Sequence, residues 1–132
     1  MAAKNNNKLG RSYFIKRKTE ISRLFETGRR VNSDFIKTIW TCEDLALKSE
    51  VKIFISVPKR LINDANQRNL LKRRIREALR INLGEIKTYV ALNSCSIKIG
   101  VVYSSAESKG YNSIENKIIL SLQNIYSNIR VK

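Results

Sequence analysis

Residues 51–60 read VKIFISVPKR, and residues 65–83 read ANQRNLLKRRIREALRINL. In the first stretch apolar residues occupy every second position from Val51 to Val57, which predicts a β-strand with one buried face, and Pro58 ends it. In the second stretch apolar residues recur at helical spacing, which predicts a long helix. A strand that leads directly into a long helix indicates a mixed α and β fold.

The long helix has sequence signals at both ends. Asp64 is suited to cap its first turn, and Gln67 follows three residues later, as in a capping box. Gly84 stands where a helix commonly stops. The helix is therefore predicted from about Ala65 to Leu83.

A shorter helix and a strand are predicted before this unit. Ile21, Leu24 and Phe25 have the i, i+3, i+4 spacing of a helix, which Gly28 would end in a left-handed conformation. The β-branched and aromatic residues from Val31 to Trp40 then predict one strand.

The rest of the chain completes a single domain. Residues 41–50 predict a turn region with room for an extra short strand, residues 97–103 a strand, and residues 114–129 a last helix. The expected fold is α+β, a single-domain α/β sandwich in the order α-β-β-(β)-α-β-α, with helices on one face of the sheet and the other face open. Residues 1–8 are expected to form a flexible arm and residues 9–132 the domain.

Charge narrows the choice of partner. The chain has 132 residues, with 26 Lys and Arg against 11 Asp and Glu, a formal net charge of +15. So large a positive charge predicts a polyanionic partner, nucleic acid or an anionic membrane. No stretch approaches the roughly 18 to 20 apolar residues of a membrane span, and residues 1–11 contain no apolar signal core. We therefore expect a cytoplasmic protein that binds no membrane.

Residue types also argue against catalysis by protein side chains. The sequence contains no histidine, which removes Ser-His-Asp and Cys-His catalysis and His metal ligation. Cys42 and Cys95 are widely separated, which favours reduced, partly buried thiols over a zinc site or a disulfide. The acidic residues are scattered, with Glu43-Asp44 the only adjacent pair. No catalytic residue and no protein metal site are predicted.

The long helix carries an unusual concentration of positive charge. Residues 68–80 contain six Lys and Arg and one acidic residue. At about 100° per residue, Asn69, Lys72, Arg73, Arg76 and Arg80 share one stripe beside the apolar one. A cationic helix face is usually only solvated surface, but such faces ordinarily mix signs. We therefore favour phosphate binding, for which the planar Arg side chain is well suited.

Residues 68–78, RNLLKRRIREA, resemble the signature R-N-R-x-K-R-x-x-R-E-A of the bacterial ribonuclease P protein family, with Leu70 in place of the third-position Arg. The similarity extends to further segments and covers about residues 9–129. These segments are the helix and G-R-R turn of residues 17–30, the strand and basic end of residues 53–60, Val101-Val102, and the helix start at residues 111–118.

The resemblance implies a fold like the second domain of a small-subunit ribosomal protein, with a left-handed β-α-β crossover. It implies a protein subunit that promotes endonucleolytic removal of the 5′ leader from precursor tRNA. The partners would be ribonuclease P RNA, which carries out the hydrolysis with Mg²⁺ held mainly by RNA, and precursor tRNA. One protein monomer per RNA, and no DNA partner, are expected.

The resemblance also assigns residues to two RNA-binding surfaces. On the catalytic-RNA side it implies Arg68, Asn69, Lys72, Arg73 and Arg76, and helical geometry adds Arg80. On the leader side, Phe25, Lys59 and Arg60 match a cleft between the first helix and the sheet, although Phe25 is equally suited to the core. Lys37 and Lys52 are further candidates, whose face depends on strand register. Ile21 stands where the family often has Phe, which predicts one stacking surface fewer.

Three other functions share the compositional argument. A noncatalytic RNA-binding scaffold of ribosomal-protein type is separated only by the signature helix and its matching flanks. A DNA-binding protein with residues 65–83 in the major groove would need a helix-turn-helix pairing, which the sequence does not suggest. A membrane-surface helix would need an apolar stripe that is not committed to the core.

Overall fold

The computed structural model describes residues 13–44 and 46–130. The predicted arm of residues 1–8 lies outside the described residues. The helices are α1 (Lys18–Thr27), α2 (Ala65–Asn82), α3 (Gly84–Asn93) and α4 (Tyr111–Arg130). The strands are β1 (Arg29–Ser33), β2 (Ile36–Glu43), β3 (Glu50–Ser56) and β4 (Ser96–Tyr103).

One four-stranded sheet has the order β1-β2-β4-β3. β1 with β2 and β2 with β4 are antiparallel, whereas β3 and β4 are parallel neighbours joined through α2 and α3. The α+β single-domain prediction is therefore confirmed. The left-handed sense of the crossover between β3 and β4 stays a prediction.

The main core lies between one face of the sheet and helices α2, α3 and α4. On this face, alternate residues of the central strand β4, among them Ile97, Ile99 and Val101, are at most 1% exposed. The apolar stripe of the last helix is buried in the same core, with Ile114, Ile118 and Ile125 at most 1% exposed. Apolar burial on this face is the principal stabilising contribution to the fold.

The opposite face of the sheet is only partly open, because α1 packs across β2 and β4. Leu24 of α1 is buried with Ile15 and Ile39 in a small second cluster. Gly100 of β4 leaves room for this helix, since a Cβ there would lie 3.1 Å from Leu24 Cδ2. The expectation of helices on one face alone was therefore wrong, while no other described helix packs on this face.

The predicted single strand from Val31 to Trp40 is two strands. Asp34 adopts φ 60°, a left-handed turn conformation that Asp tolerates better than most residues, and the chain reverses there. β1 and β2 consequently pair as a hairpin, with Val31 opposite Thr38. An extra strand within residues 41–50 is not found among the described residues, where β2 extends to Glu43 and β3 begins at Glu50.

The ends of the helices differ from the predictions in several places. Asp64 does cap α2, accepting a hydrogen bond from the Asn66 backbone N–H at 2.8 Å, whereas Gln67 accepts one from Ser108 Oγ at 3.0 Å. Gly84 does not end the helical region but begins α3, which the sequence analysis missed. The last helix starts at Tyr111, three residues before the predicted start at residue 114.

Gly28 follows α1 as predicted, but for a different reason. Its φ of −74° is open to any residue, so no left-handed turn is needed. A Cβ at Gly28 would lie 2.5 Å from Ile39 Cγ1 and 2.6 Å from the Leu24 carbonyl oxygen. Glycine is therefore required by the close approach of α1 to β2.

The cysteines agree with the sequence analysis. Cys42 is half-buried and Cys95 is buried, and neither forms a disulfide within the described residues. In the described part of the chain, no helix combines the length and hydropathy needed to cross a bilayer.

We expect Gly28→Ala to destabilise the protein by roughly 1 to 3 kcal/mol, because the added methyl group overpacks the contact between α1 and β2. Gly84→Ala is the matched control, since a Cβ there meets nothing within 4 Å. The control should be neutral or stabilising by up to about 1 kcal/mol. Urea unfolding measures both variants, and equal stability of the two would contradict the proposed close approach.

Candidate nucleic-acid interface

Helix α2 has one buried and one exposed face. Its predicted apolar stripe is fully buried, with Leu71, Ile75, Ala78 and Leu79 each 0% exposed. Asn69, Arg73 and Arg76 are exposed on the other side, and Lys72 is half-buried. We call Asn69, Lys72, Arg73 and Arg76 the α2 patch.

The α2 patch is a concentrated positive surface. The Arg76 guanidinium carbon lies 5.7 Å from the centroid of the Phe14 ring, an orientation favourable for a cation–π contact. Within residues 13–44 and 46–130, no acidic side chain forms an ion pair with Lys72, Arg73 or Arg76. Like charges at this spacing repel one another, so an anionic partner would be favourable.

Two other arginines of α2 are engaged with the protein backbone. The Arg68 guanidinium donates to the carbonyl oxygens of Ile62 at 3.0 Å and Asn63 at 2.8 Å, and so ties the preceding turn to the helix. Arg74 donates to the Lys109 carbonyl oxygen at 2.6 Å, next to the start of α4. Arg74 is therefore directed away from the α2 patch and does not replace the arginine missing at Leu70.

Arg80 was predicted to extend the stripe but forms an ion pair within the helix. Its Nε donates to Glu77 Oε1 at 3.0 Å, and its Nη2 lies 2.5 Å from Glu77 Oε2. The hydrogen bonds from Arg80 lower the pKa of Glu77 and, reciprocally, raise the pKa of Arg80. Glu77 thus neutralises this end of the stripe in the free protein.

A second candidate surface is the groove between α1 and the uncovered part of the sheet, which we call the cleft. Strand register places Lys52 beside Lys98, Phe54 beside Gly100, and Ile39 on the other side of Gly100. Because side chains alternate along a strand, Lys37 lies on this same face, two positions before Ile39. The register that the sequence left open therefore brings both predicted lysines, Lys37 and Lys52, into the cleft.

The cleft contains an aromatic pair. Phe25 of α1 and Phe54 of β3 meet edge to face, with ring centroids 6.0 Å apart. Both rings are half-buried beside the second cluster and keep part of their surface exposed. Phe25 therefore contributes to packing and also borders the cleft. Phe54 supplies a second aromatic ring in a cleft where Ile21 had predicted one fewer.

Positive charge lies at both ends of the cleft. Lys37 pairs in register with Val102, whose other neighbour is Ser56 at the end of β3. The predicted residues Lys59 and Arg60 follow in an exposed turn held by the Leu61 N–H donating to the Pro58 carbonyl oxygen at 3.1 Å. At the other end, Lys52 and Lys98 are like charges in adjacent positions, an arrangement that a bound anion would stabilise.

Sequence reasoning missed some residues of these surfaces. Phe54 and Lys98 were assigned no face, since either lies in the cleft only in one strand register. Phe14 was not considered, because its role depends on a single bridge to Ile53 that brings it beside α2. The alternation of residues 51–57, which puts Phe54 on the face opposite Ile53, was the one sequence feature that could have indicated its place in the cleft.

Neither surface is suited to holding a divalent cation by itself. The described residues contain no group of three or more His, Cys, Asp or Glu side chains placed to bind a metal. Lysine and arginine dominate both surfaces, and hard cations such as Mg²⁺ prefer oxygen ligands. The described residues of the two surfaces therefore do not fit a protein-held Mg²⁺ site.

Comparison with known proteins agrees with the sequence and the fold. The sequence profile of the family described as Ribonuclease P matches residues 9–125. The chain belongs to the Ribonuclease P family. The match covers both surfaces, so the Ribonuclease P resemblance first noted in residues 68–78 extends over most of the described residues.

Individual relatives support this membership. The chain is 32% identical over 84 residues to the ribonuclease P protein component of Chlorobaculum tepidum, a match that covers 61% of this chain and 54% of that protein. It thus matches about half the length of this curated relative.

Two solved structures of Ribonuclease P proteins share the fold. The Staphylococcus aureus RNase P protein superposes with a TM-score of 0.65 at 23% identity, covering 86% of this chain and 97% of that one. The RNase P protein from Thermotoga maritima gives a TM-score of 0.63 at 18% identity, covering 83% and 94%.

We expect Glu77→Gln to increase affinity for a structured RNA and to steepen its salt dependence by roughly one contact, about 0.7 to 0.9 in the log–log slope, because Arg80 is released to bind phosphate. Asp34→Asn is the matched control. This substitution also removes a carboxylate that pairs with a cation, since Asp34 Oδ2 lies 3.8 Å from Lys117 Nζ, but it does so at the β1–β2 turn. Filter binding at several salt concentrations measures the slopes; unchanged binding by Glu77→Gln would mean that Arg80 lies outside the interface.

Proposed function

We propose that this chain is the protein subunit of ribonuclease P. It binds the catalytic RNA and the 5′ leader of precursor tRNA, and so promotes endonucleolytic maturation of the tRNA 5′ end. Family membership supports a role in the ribonuclease P holoenzyme, and the two cationic surfaces of this chain suggest how it would contribute.

The observation that carries the proposal is the α2 patch. The buried face of α2 fixes the helix in the core, so the cations of the opposite face are held on a rigid element. Arg73 and Arg76 are exposed there, and their planar side chains can bind phosphate oxygens through two hydrogen bonds. We assign this patch to the ribonuclease P RNA, with Arg68 positioning the start of the helix and Arg80 available once Glu77 releases it.

The cleft suits a single-stranded leader. Aromatic rings that border a groove can stack on bases without regard to sequence, while cations along the groove bind the backbone. Phe25 and Phe54 provide the rings, and Lys37, Lys52 and the turn with Lys59 and Arg60 provide the charge. This combination fits leaders whose sequences vary.

We assign the chemical step to the RNA. The chain has no histidine to act as a general base, both surfaces are cationic, and the described residues contain no cluster of Mg²⁺ ligands. Mg²⁺ bound mainly by RNA would activate the water and stabilise the leaving oxygen. The protein residues bind and orient the two RNAs. We further propose that one protein monomer acts per RNA, in the cytoplasm.

The DNA and membrane alternatives receive no support from the fold. The element before α2 is strand β3, not the first helix of a helix-turn-helix motif. The apolar stripe of α2 is buried in the core and unavailable to a bilayer. The RNA-binding scaffold remains the competing function, and a cleavage assay separates it.

We expect this protein to stimulate strongly the cleavage of precursor tRNA by a bacterial ribonuclease P RNA at low Mg²⁺, with a correct mature 5′ end. The physical reason is that the added cations offset phosphate repulsion between the two RNAs. The measurement compares single-turnover cleavage with and without the protein. Tight RNA binding with no stimulation would favour the scaffold function.

We expect the double variant Arg73→Ala, Arg76→Ala to bind the catalytic RNA at least about tenfold more weakly, since each charge-assisted contact contributes roughly 1.5 kcal/mol. Its log–log salt slope should fall by roughly 1.4 to 1.8. Its thermal stability should fall only slightly, because both side chains are exposed and the cation–π contact of Arg76 with Phe14 is lost.

Arg74→Ala is the contrasting variant on the same helix. It removes the hydrogen bond to the Lys109 carbonyl oxygen, so it should lower stability more than RNA affinity. If the double variant lost stability instead, and bound RNA normally, the α2 patch would not be the interface.

A further inference from the structure

A pocket of about 340 Å³ lies at the free edge of β3, outside both the α2 patch and the aromatic centre of the cleft. Its walls come from three parts of the chain: Tyr13, the segment from Lys48 to Lys52, and α3. Helix α3 contributes Lys87, Val90 and Ala91. A volume of this order is within the range of small-ligand sites.

The position of Tyr13 is fixed by backbone pairing of the next two residues with β3. Phe14 forms a parallel bridge with Ile53, and the Ile15 N–H donates to the Ile53 carbonyl oxygen at 2.9 Å. This parallel register places Tyr13 beside Lys52. Tyr13 is therefore held next to the end of the cleft at which Lys52 and Lys98 meet.

The pocket combines an aromatic ring with positive charge. Lys87 Nζ lies 4.7 Å from the centroid of the Tyr13 ring, a cation–π geometry. Three lysines, Lys48, Lys52 and Lys87, line the pocket with one acidic residue, Glu50, which lies 3.9 Å from Lys48. Val90 and Ala91 add apolar surface. A flat apolar group that carries negative charge is the ligand that this lining fits.

We propose that this pocket binds one nucleotide of single-stranded RNA, with the base against Tyr13 and the phosphate at Lys87. Stacking of a base on the ring replaces the cation–π contact, and the released ammonium pairs with the phosphate. Because Lys52 borders both the pocket and the cleft, the nucleotide is one that continues beyond the cleft. This reading of the pocket as a leader subsite rests on the proposed function.

The direct test uses a short fluorescein-labelled single-stranded RNA oligonucleotide and the full chain, measured by fluorescence anisotropy. Tyr13→Ala should weaken binding by about fivefold or more, as expected for loss of a stacking ring, while Tyr13→Phe should bind like the wild type. Lys87→Ala should weaken binding and lower the log–log salt slope by roughly 0.7.

Lys117→Ala is the matched control for charge. It removes the same charge at the opposite edge of the sheet, where Lys117 contacts Asp34, and should leave oligonucleotide binding nearly unchanged. Urea unfolding of each variant checks that the fold is retained. Wild-type affinity in both Tyr13→Ala and Lys87→Ala would overturn the proposal, as would equal losses in Lys87→Ala and Lys117→Ala.

A second arm uses the holoenzyme and precursor tRNAs with leaders of increasing length. Wild-type protein should gain affinity as the leader lengthens, and Tyr13→Ala should lose the gain from the outermost nucleotides while still stimulating cleavage. If longer leaders benefit both proteins equally, the leader subsite is rejected and the proposed function stands. If neither protein stimulates cleavage, the proposed function fails, and the oligonucleotide measurement alone decides the pocket.

Discussion

Strand β4 pairs with β2 on one side and with β3 on the other. The side chains of β4 alternate between the two faces of the sheet, and this alternation determines the face on which the paired residues of β2 and β3 lie. Ile97, Ile99 and Val101 must face the helices to be buried. Lys98, Gly100 and Val102 then face the cleft, and the paired residues of β2 and β3 follow. A shift of one residue in this register would bury lysines and expose isoleucines, so the hydrophobic core itself fixes the composition of the cleft.

The close approach of α1 depends on the same strand. Gly100 is the position on β4 where Leu24 comes down onto the sheet, and Gly28 allows the chain to leave α1 beside Ile39. These contacts hold Phe25 at the border of the cleft, edge to face with Phe54. A helix held further from the sheet would separate the two rings. The aromatic part of the cleft is therefore a consequence of backbone packing.

Charge is divided differently on the two surfaces. On α2, the exposed cations lie together because the core occupies the other face of the helix. Arg68, Arg74 and Arg80 instead form hydrogen bonds to other groups of the protein. In the cleft, the cations come from separate strands and turns and meet only in the folded chain. The first surface suits a rigid phosphate contact, and the second suits an extended strand with exposed bases. The pocket beside Tyr13 places Lys48 and Lys87 next to the Lys52 end of the cleft.

The amino-acid sequence by itself determined the class of partner, the α+β fold and the residues of α2, because net charge follows from composition alone and helical periodicity depends on residues near one another in the chain. It also predicted Lys37, Lys52, Lys59 and Arg60, without showing that Lys37 and Lys52 share a face. It missed α3 because Gly84 is a common stop signal, although here it begins a helix. Only the tertiary structure decided which arginines are exposed, why Gly28 is required, and where Tyr13 meets Lys87. Each of these depends on contacts between segments far apart in the chain, and such contacts are set by packing and strand register, which local sequence patterns do not encode.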